Sequence, residues 1–203
     1  MVVSNTNKGL AMPPTKRNDI ILATVELVAE KGFHGASTAK IAARADVAEV
    51  TVFRIFKAKK LLLEATFDEI LADCTASVCK GHDITLPLKE RFFALCHGYC
   101  SYLMAKPESM NFLEQYLHSA EGWAKRPDMV HESSADFHKH PLISLLTQGR
   151  ESGEIKNLPM PILVGLIAGT LFNLERLKSL KKIAHSEKLQ QEAVQACWDG
   201  IAG

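Results

Sequence analysis

The stretch from Glu49 to Lys59 gathers side chains suited to reading a nucleic acid. Arg54 can take guanine O6 and N7 with two donors, or clamp a phosphate. Lys57, Lys59 and Lys60 form a basic cluster, and Lys59 falls where a helix should begin. A cation there opposes the helix dipole. A phosphate arriving at that terminus removes the conflict and takes up the free N–H groups. The alternative is a solvated basic cluster. Lys40 and Arg44 divide evenly between phosphate backbone and solvent.

Other chemistry finds less support. Cys96, His97 and Cys100, with His138 and His140, contain metal-ligating types. Zinc needs a closed set of four ligands, but on one helix residue 97 is turned about 100° from the face shared by 96 and 100. No metal and no cofactor is expected. There is no Ser/His/Asp order, Gly-rich phosphate loop or His-Glu-x-x-His, so nothing points to an enzyme.

The reading residues need a scaffold, and the surrounding sequence supplies one. Ser37 or Thr38 can cap a first helix with a hydroxyl. Ile41, Ala42 and Ala45 recur at helical spacing on one apolar face. Asp46 marks the turn. Val47, Val52 and Ile55 continue the apolar set on a second helix, and Ala42 is small where two helices cross. The outer face of the second helix then offers Glu49, Val50, Thr51, Phe53 and Arg54. That is a helix-turn-helix, whose second helix enters the major groove.

Its flanks add Arg17, Ile20-Ile21-Leu22-Ala23, Leu27 and Gly32-Phe33 before it, and Phe56, Lys59 and Leu61-Leu62-Leu63 after it. Residues 17–63 resemble the N-terminal domain of the tetracycline-repressor (TetR) family of bacterial regulators. The resemblance rests on Ile41-Ala42, Val47, Thr51, the Phe53/Phe56 pair and Lys59. It implies phosphate contacts at Thr38, Phe53 and Lys59, and base contacts at residues 49–51 and 54. The remainder matches that family only loosely.

The chain departs from the family pattern at five places. Asp46 stands where Gly is usual; Asp tolerates the left-handed turn better than most residues. Ala48 replaces a capping Ser or Thr, a loss of about 1 kcal/mol. Val50 replaces a small residue. Phe53 replaces a phosphate-binding Tyr and lacks its hydroxyl. Ile55 stands where His is frequent.

Composition agrees with a DNA-binding end. The chain has 203 residues and a net charge of +1. Residues 1–60 hold ten Lys/Arg against five acids, and the rest holds fourteen against eighteen. A basic head on an acidic body suits contact with phosphates at one end. Five cysteines without framework spacing read as reduced thiols in a cytoplasm. The longest apolar run, Met160–Leu174, looks too short to span a bilayer.

The pattern predicts an all-α fold. Residues 1–14 read as a disordered arm, 15–60 as the helix-turn-helix domain and 61–203 as an effector-binding and dimerisation domain. Helices are expected from Thr15 to Gly32, Ala58 to Lys80, Pro87 to Ala105, Glu108 to Ala120, Phe137 to Ser152, Pro161 to Lys182 and Ser186 to Ile201. Gly122 to Ser134 reads as loop or frayed helix.

Two further sites follow, in part from the resemblance. Candidate effector-lining residues are Phe67, Phe93, His97, Tyr99, Cys100, Phe112, Tyr116, His118 and Phe137. Aromatics at helical spacing equally describe plain core. The last two helices resemble the pair through which the family dimerises as a four-helix bundle, with Gly165, Gly169, Phe172, Val194 and Trp198 at the interface. The reading is a cytoplasmic homodimeric regulator, a repressor released from double-stranded operator DNA by a small apolar or aromatic effector, with no membrane partner. The rival is a helical interaction module whose helix-turn-helix binds no specific DNA sequence.

Overall fold

A computed structural model of the chain describes residues 15–80, 83–120, 122, 140–184 and 186–203. The expectations for residues 1–14, for most of 122–134, and for Phe137 and His138 lie outside the described residues. The described residues form helices and no strand, apart from one isolated bridge between Ile155 and Ala202. The helices are α1 (Lys16–Gly35), α2 (Thr38–Arg44), α3 (Glu49–Phe56), α4 (Lys59–Val78), α5 (Leu88–Ala105), α6 (Pro107–Leu117), α7 (Pro141–Ser152), α8 (Met160–Ser179) and α9 (Glu187–Ile201).

The chain divides into two compact units. The first comprises residues 1–73 and 105–124, and the second 74–104 and 125–203. Helix α4 therefore contributes to both.

In the first unit, α1 packs against α2 and α6. Its inward stripe of Ile20, Ile21, Leu27 and Val28 is buried, as an amphipathic helix requires. Thr15 caps it, accepting from the Asn18 N–H at 3.2 Å. The sequence places the end of α1 at Gly32. Instead Gly32 kinks the helix with φ 68°, and the chain adds one more turn to Gly35. Only glycine takes that backbone region without strain. Helix α6 is fastened by Gln115, whose side-chain amide donates to the Val28 carbonyl at 3.1 Å. Phe67 stacks on Tyr116 at 4.5 Å, and Phe33 meets Phe112 edge-on at 5.6 Å. Rings buried this way dominate a small core.

In the second unit, α8 packs against α7 and α9. Leu145, Leu146, Leu163, Ile167, Val194 and Ile201 are fully enclosed. The C-terminus is tied down by the Lys156 N–H donating to the Ile201 carbonyl at 2.8 Å and the Gly203 N–H to the Glu154 carbonyl at 3.0 Å. Helix α8 is longer than its apolar run. By length and composition alone it could cross a membrane. In the fold, Leu163, Ile167, Leu171 and Leu174 turn into the core while Ile162, Gly165, Leu166 and Gly169 stay exposed.

Candidate nucleic-acid interface and effector site

Helices α2 and α3 form around a small apolar seam. Ile41, Ala42, Val52 and Phe56 are all at most 6% exposed. Ser37 caps α2, accepting from the Lys40 N–H at 3.4 Å. Asp46 takes the left-handed conformation the turn demands, with φ 52°. The Val47 N–H donates to the Ala42 carbonyl at 3.0 Å and closes the turn. Ala48 flanks α3 in extended conformation and makes no side-chain cap. Lys57, also left-handed at φ 65°, ends α3, its N–H donating to the Phe53 carbonyl at 2.9 Å.

Glu49, Val50, Phe53 and Arg54 share one face of α3, within about 140° at about 100° per residue. All four are exposed, Val50 at 72% and Phe53 at 45%. Thr51 is half-buried beside them. The Thr38 hydroxyl donates to Glu49 Oε1 at 2.6 Å, so the expected phosphate-binding and base-reading residues hold each other. That bond fixes the start of α3 against the start of α2.

Much of the basic charge in this region is already engaged. Arg44 donates to both carboxylate oxygens of Glu30, at 3.0 and 2.9 Å, and to Glu26 at 3.1 Å. The Arg44 guanidinium holds the Glu30 carboxyl below its usual range. Lys40 Nζ donates to the Gly35 carbonyl at 3.1 Å. Lys59 Nζ donates to the Phe33 carbonyl at 2.6 Å and so satisfies an orphan acceptor near the end of α1. Of the expected DNA cations, Arg54 and Lys57 keep exposed side chains at α3, although Lys57 Nζ also reaches the Arg54 carbonyl at 3.2 Å.

The expected effector residues fall into both units. Phe67, Phe112 and Tyr116 belong to the aromatic core of the first unit, each 0% exposed. His118 is exposed at the end of α6. In the second unit, Phe93 and His97 line an open cleft of about 530 Å³ with Gln191, Glu192, Gln195, Ala196 and Asp199 from α9. His97 Nδ1 lies 3.1 Å from the Gln190 amide. Lys89 sits 5.8 Å from the Phe93 ring centre and equally over Trp198. Tyr99 lies parallel to His140, with its hydroxyl 3.1 Å from Nε2. Burial lowers the His140 pKa and raises that of Tyr99. Cys100 is buried and its thiol is pushed up to about 12, chiefly by desolvation.

Two features here lie beyond local sequence patterns. His140 is a metal-ligating type by sequence, and no local pattern pairs it with Tyr99. Glu175 and Lys178 form a buried ion pair at 2.8 Å on α8. Their three-residue spacing was legible, but not their burial. Among the described residues, no group of three His, Cys, Asp or Glu side chains is placed to hold a metal ion.

Of the expected interface residues, Gly165 and Gly169 are exposed with open space around them. Phe172 is half-buried. Val194 and Trp198 are already inside the second unit's own core, at 0% and 8% exposure.

Comparison with known proteins decides the family. Residues 20–66 match the model of bacterial regulatory proteins of the tetR family, and residues 87–202 match the tetracyclin repressor-like C-terminal domain. The chain belongs to the tetracycline-repressor family. It is 33% identical over 111 residues to the HTH-type transcriptional regulator BetI of Klebsiella pneumoniae (strain 342). That match covers 55% of this chain and only about half, 52%, of the relative. It is 28% identical over 157 residues to the fatty acid metabolism regulator protein of Bacillus subtilis (strain 168), covering 77% of this chain and 79% of that one. The crystal structure of the transcriptional regulator FadR from Bacillus subtilis in complex with stearoyl-CoA superposes with a TM-score of 0.71. Identity there is 24%, with 91% of this chain and 98% of that one covered. Relatives and fold are those of TetR-family transcriptional regulators, not of enzymes, and α2 with α3 is the helix-turn-helix of this member.

Proposed function

We propose that this TetR-family protein is a cytoplasmic, homodimeric repressor released from its operator by an apolar, acyl-bearing or aromatic effector. The observation that carries the reading is the outer face of α3, where Glu49, Val50, Phe53 and Arg54 are exposed on a recognition helix whose opposite face is core. Thr38, Lys40, Lys57 and Lys59 are assigned to the flanking phosphates. The lysines that now bond to backbone carbonyls would exchange those bonds for charge-assisted ones.

A dimer supplies two such helices, which must sit about one DNA turn, roughly 34 Å, apart. The exposed stripe Ile162, Gly165, Leu166 and Gly169 supports assembly through α8. Phe93, His97, Tyr99 and Cys100 are the effector candidates of the second unit. The acyl preference is supported by the relative named for fatty acid metabolism and the neighbour seen with stearoyl-CoA. Helix α4 runs from residues of one unit into the other and is the element assigned to carry the signal. To release DNA, the effector must bind the DNA-incompetent state more tightly.

The test is a titration of the full chain on genomic duplex fragments at several salt concentrations, with and without stearoyl-CoA. Binding should fall steeply with salt, and stearoyl-CoA should weaken it. Salt-independent or absent duplex binding favours the rival interaction module. Undiminished binding with stearoyl-CoA rejects that effector class.

A further inference from the structure

We infer that Val50 is a specificity residue of this protein, reading thymine C5-methyl groups in the major groove. The inference rests on the DNA-binding reading above and adds the kind of base edge recognised.

Val50 is 72% exposed, and among the large apolar residues described only Ile84, at 74%, is more so. Neither packing nor helix propensity accounts for it. The core beneath α3 is made by Val52 and Phe56, which are buried on the opposite side. A β-branched residue on an exposed helical position gives up propensity relative to alanine. The position is the second residue of α3, and the first turn of a recognition helix is the part that meets base edges.

The groove offers one apolar feature to such a side chain, the methyl of thymine; the other edges are donors and acceptors. A hydroxyl or amide would suit those edges, and valine suits none of them. Valine is also stiff about χ1 on a helix, so its two methyls are held in place with little entropy to lose. Its neighbours prevent the face from being merely greasy. Glu49 is pinned by the Thr38 hydroxyl at 2.6 Å on one side, and Arg54 flanks Val50 on the other. The Phe53 ring, 45% exposed, lies one turn further along and extends the apolar surface that sheds water on docking.

The experiment selects binding sites for the full chain from a random-sequence duplex library. The recovered site is then synthesised with each thymine replaced in turn by deoxyuridine, which removes only the methyl. Fluorescence anisotropy should show at least one position per half-site where the replacement weakens wild-type binding about fourfold, the factor that burial of one methyl gives. Val50→Ala should lose that discrimination, and Val50→Thr, which keeps one methyl, should retain part of it. Because the core does not rest on Val50, neither variant should melt below wild type. Equal binding to thymine and uracil duplexes by wild type, or full discrimination kept by Val50→Ala, overturns the inference while sequence-specific binding stands. Failure of the library to enrich any site overturns the inference together with the DNA reading.

Discussion

Helices α3 and α8 both leave apolar side chains in water, and they do so differently. On α3, Val50 and Phe53 stand between a carboxylate and a guanidinium. On α8, Ile162, Gly165, Leu166 and Gly169 form an uncharged stripe along about two turns, over a buried row of Leu163 and Ile167. A mixed face fits a partner with phosphates, base edges and occasional methyls. A uniform one with glycines fits another helix at close range, since small residues let backbones approach. Contiguous exposed apolar surface marks an interaction site, whereas single exposed residues do not. The lesson is that the charge around an apolar residue, more than its exposure, tells what should cover it.

The strongest way to break this comparison is Gly169→Glu. Beyond the helix's own local backbone, no atom lies within 4 Å of the place its Cβ would occupy, so a single chain tolerates it. Against a second α8 it would bury an unpaired carboxylate, which costs several kcal/mol. Sedimentation should show a dimeric wild type and a folded monomeric variant, with dimerisation weakened about 100-fold or more. A dimer unaffected by the change would move the interface elsewhere.

Phe53→Tyr should sharpen the α3 side. The resemblance places a phosphate-binding tyrosine hydroxyl there, and one regained hydrogen bond to a charged group is worth about 1.5–3 kcal/mol. Duplex affinity should rise about tenfold or more, equally for cognate and unrelated sequences, because phosphates carry no sequence information. A gain confined to one sequence would contradict the assignment.

Ala48→Ser tests how firmly α3 is built. It restores the missing N-cap and should stabilise the protein by about 1 kcal/mol, read in a denaturant titration. An unchanged midpoint would mean that the N–H groups at that end are satisfied otherwise.

The smallest effect concerns acid, and it separates the two regions. Burial holds the His140 pKa below its ordinary 6.5. Unfolded chains therefore bind more protons than folded ones just below that pH, and stability rises with pH there. The second unit should accordingly lose stability as pH falls through about 6.5. His140→Gln should flatten this dependence in thermal melts taken on either side. An unchanged slope would assign the acid sensitivity to another group.

Much of the motif was readable because it is local. Ser37, Asp46 and Ala48 behave as their side chains dictate: a hydroxyl that caps, a carboxylate residue that accepts a left-handed turn, and a methyl that cannot cap. The effector candidates were less readable for a reason equally plain. Helical spacing says that Phe93 and Phe112 lie on apolar faces, but not which neighbours those faces meet. Phe112 joins Phe33 and Tyr116 in the first unit, while Phe93 borders a cleft in the second.

The sequence by itself determined the helical class, the helix-turn-helix and the residues on its outer face, because periodicity, caps and turn residues act over a few positions. Tertiary structure alone decided that Lys59 fastens the end of α1, that Glu49 is held by Thr38, that Tyr99 pairs with His140 and that α6 belongs with α1. Each of these joins residues distant along the chain, and whether such groups meet depends on how whole helices pack, which no local pattern encodes.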